Sequence, residues 1–243
     1  MNIGIGIHRR AIGGRGEDFF SSLHKAIDKA QQAFPQIEFD IVAAASYRSV
    51  LNHNKMASQR CIFVDAPDYA ALQAALFAGN RQAGFFVADY GLLHFRCIEN
   101  MITMFLTQNE KVLLEAKAVP IESPRYYDPR TLQTAWCSKD RLFISRNVFE
   151  ILGTFDRTLT GVFDDIDYSW RAQIAKIQTL THPGAWYHCA PASKTLSDSE
   201  LQAVSDGRQR LLKKWPDRTA TLDGWFSNTR WDANQYWLGG SKW

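Results

Sequence analysis

Short apolar bursts alternate with longer amphipathic stretches through the first half of the chain. Ile3, Ile5 and Ile7 recur with period two, which predicts a buried strand over Asn2–Ile7. A glycine-rich basic loop, His8–Gly16, follows it. Leu23, Ile27 and Ala30 mark the apolar side of a helix over Glu17–Phe34, which Pro35 stops. Phe39–Ala43 and Arg60–Val64 read as further buried strands, and Pro67 precedes a helix over Asp68–Ala78. Gly84–Ala88 is a fourth strand, ending at Asp89. Strands alternating with helices predict an α/β fold with a mostly parallel sheet covered on both faces. In such sheets ligands bind beyond the carboxyl ends of the strands. That directs attention to His8–Gly16, Ala44–Ser49 and Asp89–Gly91.

The second half is less regular. Glu99–Gln108 reads as a helix, and Glu122–Arg130, with Pro124 and Pro129 around two tyrosines, as a loop. Arg141–Ile144 is a short strand. Ser145 caps a helix running to Leu152, and Gly153 ends it. A helix over Asp164–Ala175 and a strand over Ile177–Leu180 lead to the Pro183–Gly184 turn. From Leu196 a helix runs to Lys214, followed by a stretch dense in tryptophan that ends at Trp243. The expected division is one domain over 1–195, with a C-terminal helix and aromatic tail over 196–243 packed on it.

Composition narrows the function classes. Hydrophobic content of 46% and charged content of 22% fit a globular core and not a disordered chain. A formal charge of +3 on 243 residues is too mild to argue for nucleic-acid or membrane-surface binding by itself. No apolar run is long enough to cross a bilayer, and the glycine-interrupted N-terminus does not read as a signal peptide. A cytoplasmic location is expected. Cys61, Cys97, Cys137 and Cys189 are widely spaced, which predicts reduced thiols and not a zinc cage or disulfide framework. Gly13, Gly14 and Gly16 do not make a dinucleotide fingerprint.

The sharpest feature is Phe163-Asp164-Asp165-Ile166-Asp167-Tyr168-Ser169-Trp170-Arg171. Carboxylates at a helix start are stabilised by its N-terminal dipole, and Asp167 and Arg171 stand at the spacing of an ion pair on one face. An isolated cluster of this kind would be an acidic helix start and nothing more. Its surroundings add to it. Gly153-Thr154-Phe155-Asp156 precedes it, and Pro183 and Trp186-Tyr187-His188 follow it.

Over Arg141–Cys189 the order and spacing resemble the inverting family-2 glycosyltransferases. These carry a helix, G-x-F-D, a short loop, E-D-x-D-x-x-x-R, a strand, a proline turn and a histidine. Asp164 stands where that family prefers glutamate, and Ala175-Lys176 where it has a glycine. The first half is similar only in architecture. Ile7-His8-Arg9-Arg10 replaces the usual first loop, Ala43-Ala44-Ala45-Ser46 keeps the serine but lacks the usual aspartate, and Asp89 is what remains of the D-x-D motif.

The resemblance implies a GT-A fold, a nucleotide-sugar donor with a UDP-sugar foremost, and a Mn²⁺ or Mg²⁺ ion. The acceptor would be a hydroxyl on a glycan, a lipid-linked sugar or a nucleic-acid base. It implies Asp165 as general base with Asp164 beside it, and Asp89 and His188 as metal ligands. His8, Arg9, Arg10, Ser46 and Asp89 would face the donor, the arginines as fixed charges for the pyrophosphate. Each residue has a plainer role open to it: Asp89 as a turn residue, His188 packed beside Trp186, and the arginines in a solvated loop. Tyr126, Tyr127 and Trp136 line an acceptor site or pack in loops and core, and the tail rings either stack on a ligand or fold back. The missing family aspartates also leave open a catalytically inactive GT-A-like binding or assembly module.

Overall fold

The computed structural model of the protein describes residues 1–8, 16–47, 59–108, 111–119, 127–159, 163–189 and 198–221. Among the described residues eight strands form one sheet: β1 (Asn2–His8), β2 (Glu38–Ala44), β3 (Arg60–Val64), β4 (Ala83–Ala88), β5 (Gly91–Leu93), β6 (Val112–Val119), β7 (Leu142–Ser145) and β8 (Gln178–Cys189). Their spatial order is β3-β2-β1-β4-β7-β6-β8-β5. Four of the seven neighbouring pairs are parallel. The pairs β4–β7, β6–β7 and β5–β8 are antiparallel.

Among the described residues there are six α-helices: α1 (Gly16–Ala33), α2 (Tyr69–Phe77), α3 (Cys97–Thr107), α4 (Arg146–Leu152), α5 (Phe163–Ile174) and α6 (Asp198–Lys214). On one face, Ile3, Ile5 and Ile7 of β1 pack with Leu23 and Ile27 of α1 and Met101 and Ile102 of α3. On the other, Leu72 and Leu76 of α2, Val148 of α4 and Tyr168 of α5 pack on Phe86 and Ile144. The glycines between the isoleucines of β1 explain how close α2 lies. A Cβ on Gly6 would meet Leu76 Cδ1 at 2.9 Å, tighter than core packing tolerates. A third cluster joins Phe163, Ile166 and Trp170 of α5 to Val204 and Leu211 of α6, with Trp136 inside it.

The boundaries follow local chemistry. Asp68 caps α2 by accepting from the Ala71 N–H at 2.7 Å. Ser145 caps α4, accepting from Val148 N at 3.0 Å, and Gly153 closes it with φ +70°. Two strands escape the apolar pattern. β6 carries Glu115 and Lys117 in its middle, and β5 is three residues long. β8 does not stop before Pro183 but runs on to Cys189, with a register shift that pairs Ala116 with His182 and then Lys117 with Trp186. The four cysteines are free thiols. Among the described residues no helix is long and apolar enough to cross a membrane.

Candidate active site

The site is assembled from the carboxyl ends of β1 and β4, the start of α2, the turn before β7 and the first turn of α5. The turn is held from below by Glu115. This carboxylate is buried in the middle of β6, accepts from Ser138 N at 2.8 Å and Thr181 Oγ1 at 2.7 Å, and faces Arg141 Nε at 3.7 Å. With Ser138 and Arg141 so anchored, Lys139 and Asp140 of the 3-10 turn Lys139–Arg141 project toward α5 and α2.

Lys139 meets the acidic motif. Its ammonium bonds Asp164 Oδ1 and stands 3.7 Å from Asp165 Oδ1, and its backbone N–H donates to Asp165 Oδ1 at 3.2 Å. Asp164 Oδ1 also accepts from Asp165 N at 3.0 Å. Asp140 accepts from the Tyr69 hydroxyl and from the Tyr90 hydroxyl, the latter at 2.8 Å. The His8 ring stacks on Tyr69 at 3.9 Å between centroids, and the Lys139 ammonium lies 5.0 Å from the Tyr69 ring centre. Asp89, next to Tyr90, accepts from the Tyr47 hydroxyl at 2.8 Å. His8, Asp89, Asp164 and Asp165 are thus linked through Tyr69, Tyr90, Lys139 and Asp140, four residues the sequence did not single out.

Burial pushes the Asp165 carboxyl well above the carboxylate range. Lys139 opposes that rise, while the charges of Asp164 and Asp140 add to it. Asp164 is raised by burial too, against the direct Lys139 contact. Burial alone would lower the Lys139 ammonium, but Asp164, Asp165 and Asp140 outweigh it and hold it above its usual value. Lys139 therefore stays a cation between the two buried carboxyls.

The remaining acid of the motif has a structural task. Asp167 is fully buried and accepts from Arg171 Nε at 2.9 Å, Trp215 Nε1 at 2.8 Å and Lys214 Nζ at 2.8 Å. Arg171 continues to the carbonyl of Thr154 at 2.9 Å, which ties the Gly153–Asp156 loop to α5.

The other expected site residues fall in different places. Ser46 is exposed in the 3-10 turn Ala45–Tyr47, the turn whose Tyr47 reaches Asp89. His188 stands opposite Leu92 at the β5 edge of the sheet, with Trp186 at 6.4 Å between rings, and its charge lowers the pKa of His94 after burial does. Trp136 packs in the α5–α6 core, and Tyr127 lies under the Lys117 ammonium at 5.7 Å. Arg9, Arg10, Tyr126 and the tryptophans of the tail from Trp225 onward lie outside the described residues. Among the described residues no three histidines, cysteines or acids gather into a metal cage. Asp89 still offers a carboxylate at a strand end, which fits a hard cation that takes its other ligands from phosphates and water.

No protein-family model matches the chain, and no curated protein sequence matches it significantly. Solved structures do. The mannosyltransferase PcManGT from Pyrobaculum calidifontis, solved in complex with GDP-Man and Mn²⁺, superposes with a TM-score of 0.60 at 14% identity, over 87% of this chain and 64% of that one. This chain thus spans just under two thirds of the mannosyltransferase's length. S. aureus TarS superposes with a TM-score of 0.54 at 12% identity, over 90% of this chain and 73% of that one. The fold is of the glycosyltransferase type. At these identities the likeness concerns the backbone architecture, and function must be argued from the site.

Proposed function

We propose that the protein transfers a sugar from a nucleotide-sugar donor to a hydroxyl acceptor, with inversion at the anomeric carbon and Asp165 as general base. The observation that carries this reading is the buried pair Asp164–Asp165 at the start of α5, linked to His8 and Asp89 at the strand ends of a glycosyltransferase-type sheet. The acceptor oxygen attacks the anomeric carbon as the bond to the donor phosphate breaks. The electron pair leaves with the nucleoside diphosphate, and the acceptor proton goes to Asp165. A carboxylate lifted out of its usual range by burial is a stronger base for that proton.

The leaving diphosphate gathers charge that needs a counter-charge. A divalent ion, Mn²⁺ or Mg²⁺, would supply it, held by Asp89 with His188 and by the donor's own phosphates. His8, Ser46, Arg9 and Arg10 would contribute to the donor side. A UDP-sugar is the first donor to test. GDP-Man is the ligand of the structurally similar mannosyltransferase, so a GDP-sugar is the second.

The test is thermal stability in the presence of UDP, GDP, CDP and TDP, each with and without Mn²⁺. A ligand that binds only the folded state raises the midpoint, by about 2.7 kcal/mol of stability at a hundred times its Kd. A metal-dependent rise with one nucleotide supports the reading and names the donor class. No rise with any of them favours the second reading, an inactive binding or assembly module, for which the missing family aspartates of the first half speak.

A further inference from the structure

We infer that Lys139 is the positioning residue of this site: its backbone N–H orients the Asp165 carboxylate, and its ammonium supplies the opposite charge that lets a buried base receive the acceptor proton. The assignment rests on the transfer reading above and deepens it. Nothing in the sequence marks Lys139, which stands in a charged triplet before a short strand.

The surroundings of Asp165 give the argument. From the 3-10 turn come Lys139, with its N–H at 3.2 Å and its ammonium at 3.7 Å, and Asp140. From α5 comes Asp164, which shares the ammonium. From α2 comes Tyr69, donating to Asp140, with His8 of β1 stacked on its ring, and from the β4–β5 turn comes Tyr90, also donating to Asp140. Arg141 on the same turn faces Glu115 of β6. Around one ammonium there are therefore three carboxylates, all nine-tenths or more buried. Burial and two like charges both shift Asp165 toward its protonated form, which cannot accept a proton. Lys139 acts in the opposite direction and touches both members of the pair.

The rigidity of the arrangement has a cause as well. Glu115 fixes Ser138 by its backbone N–H, so the lysine leaves the turn at a set place. The Tyr69 ring beneath the ammonium, at 5.0 Å, adds a cation–π contact that a neutral side chain would lose.

The experiment is a titration of the aspartate carboxyl carbons by ¹³C NMR in the wild type, in Lys139→Met and in Lys139→Arg, with the pH profile of kcat/KM measured alongside. In Lys139→Met the midpoint of Asp165 is expected to rise by about 1–3 pH units, and the acid limb of the profile to move with it. Lys139→Arg keeps the charge and is expected to stay near the wild type in both. An unchanged Asp165 midpoint in Lys139→Met overturns the inference. Should that variant not fold, the wild type decides through the ¹⁵Nζ signal of Lys139. An inflection at the Asp165 midpoint supports the coupling, and a flat trace across it overturns it. The NMR readouts need no turnover. A shifted midpoint in a protein that turns over no donor overturns the transfer reading and leaves the Lys139–Asp165 coupling standing.

Discussion

The Asp167 carboxylate, fully buried at the start of α5, receives the Trp215 indole N–H at 2.8 Å from beyond the end of α6. Trp215 also packs edge-on against Trp170 at 5.8 Å. One acid of the motif thus serves attachment of the C-terminal helix, while its neighbours Asp164 and Asp165 meet Lys139. The same helix start carries all three.

Replacing Asp167 with asparagine is expected to cost about 1.5–3 kcal/mol, the range for hydrogen bonds to a buried charged group. Arg171 and Lys214 lose their counter-charge together. Urea unfolding measures this directly. A variant as stable as the wild type would show that the latch carries no weight.

A second prediction concerns the sheet under α2. In Gly6→Val the new Cβ meets Leu76 Cδ1 at 2.9 Å and Phe86 Cδ1 at 3.3 Å. Overpacking of this kind costs about 1–3 kcal/mol. The crowding falls on the Leu76 side chain of α2, and α2 also carries Tyr69, the donor to Asp140 and the platform under His8. The expected outcome is a lower melting midpoint together with weaker nucleotide binding in the thermal-shift panel. Lost stability with unchanged binding would separate Tyr69 from the site.

The third concerns acid. Burial alone would raise Asp156, but hydrogen bonds from Lys214, at 2.7 Å, and from Thr158 outweigh it and bring its pKa down to about 2. Asp156 is depressed in the folded state, so its contribution is present above its unfolded pKa, about 3.9, and lost as pH falls through about 2. Lys214 is more than a third exposed, and solvent screening limits the pair to under about 1 kcal/mol. Wild type and Asp156→Asn should therefore differ slightly at neutral pH and converge near pH 2, as followed by unfolding curves across the acid range. A difference that persists to the lowest pH contradicts the assignment.

Where a residue's role is local, the sequence showed it. Period-two isoleucines marked β1, Ser145 and Gly153 marked the ends of α4, and the spacing of Asp167 and Arg171 gave an ion pair that the structure contains at 2.9 Å. Where the role depends on distant chain, it did not. Glu115 and Lys117 hid β6 because a buried charge interrupts the apolar pattern, and its partners Ser138 and Thr181 come from other elements. Lys139 and Asp140 look like an ordinary solvated turn until Tyr69, Tyr90 and the α5 carboxylates close around them. Tyr47 reaches Asp89 across 42 positions of sequence, a pairing no periodicity reveals. The run of β8 past Pro183 was hidden by a proline-glycine pair that reads as a stop but sits in a bulge between paired segments.

The most direct test of the central claim is donor turnover in the wild type and in Asp165→Asn, with nucleotide binding and melting midpoint measured on the same samples. The folded wild type holds the Asp165 proton more tightly than the unfolded chain does. Its contribution to stability is therefore present below the usual carboxylate pKa and lost as pH rises through the raised folded value. Asparagine carries no such loss, so the variant's stability relative to the wild type should improve as pH rises. The account predicts a folded variant that binds nucleotide as the wild type does and turns donor over about 10²–10⁴ times more slowly. Turnover at the wild-type rate in Asp165→Asn would contradict it.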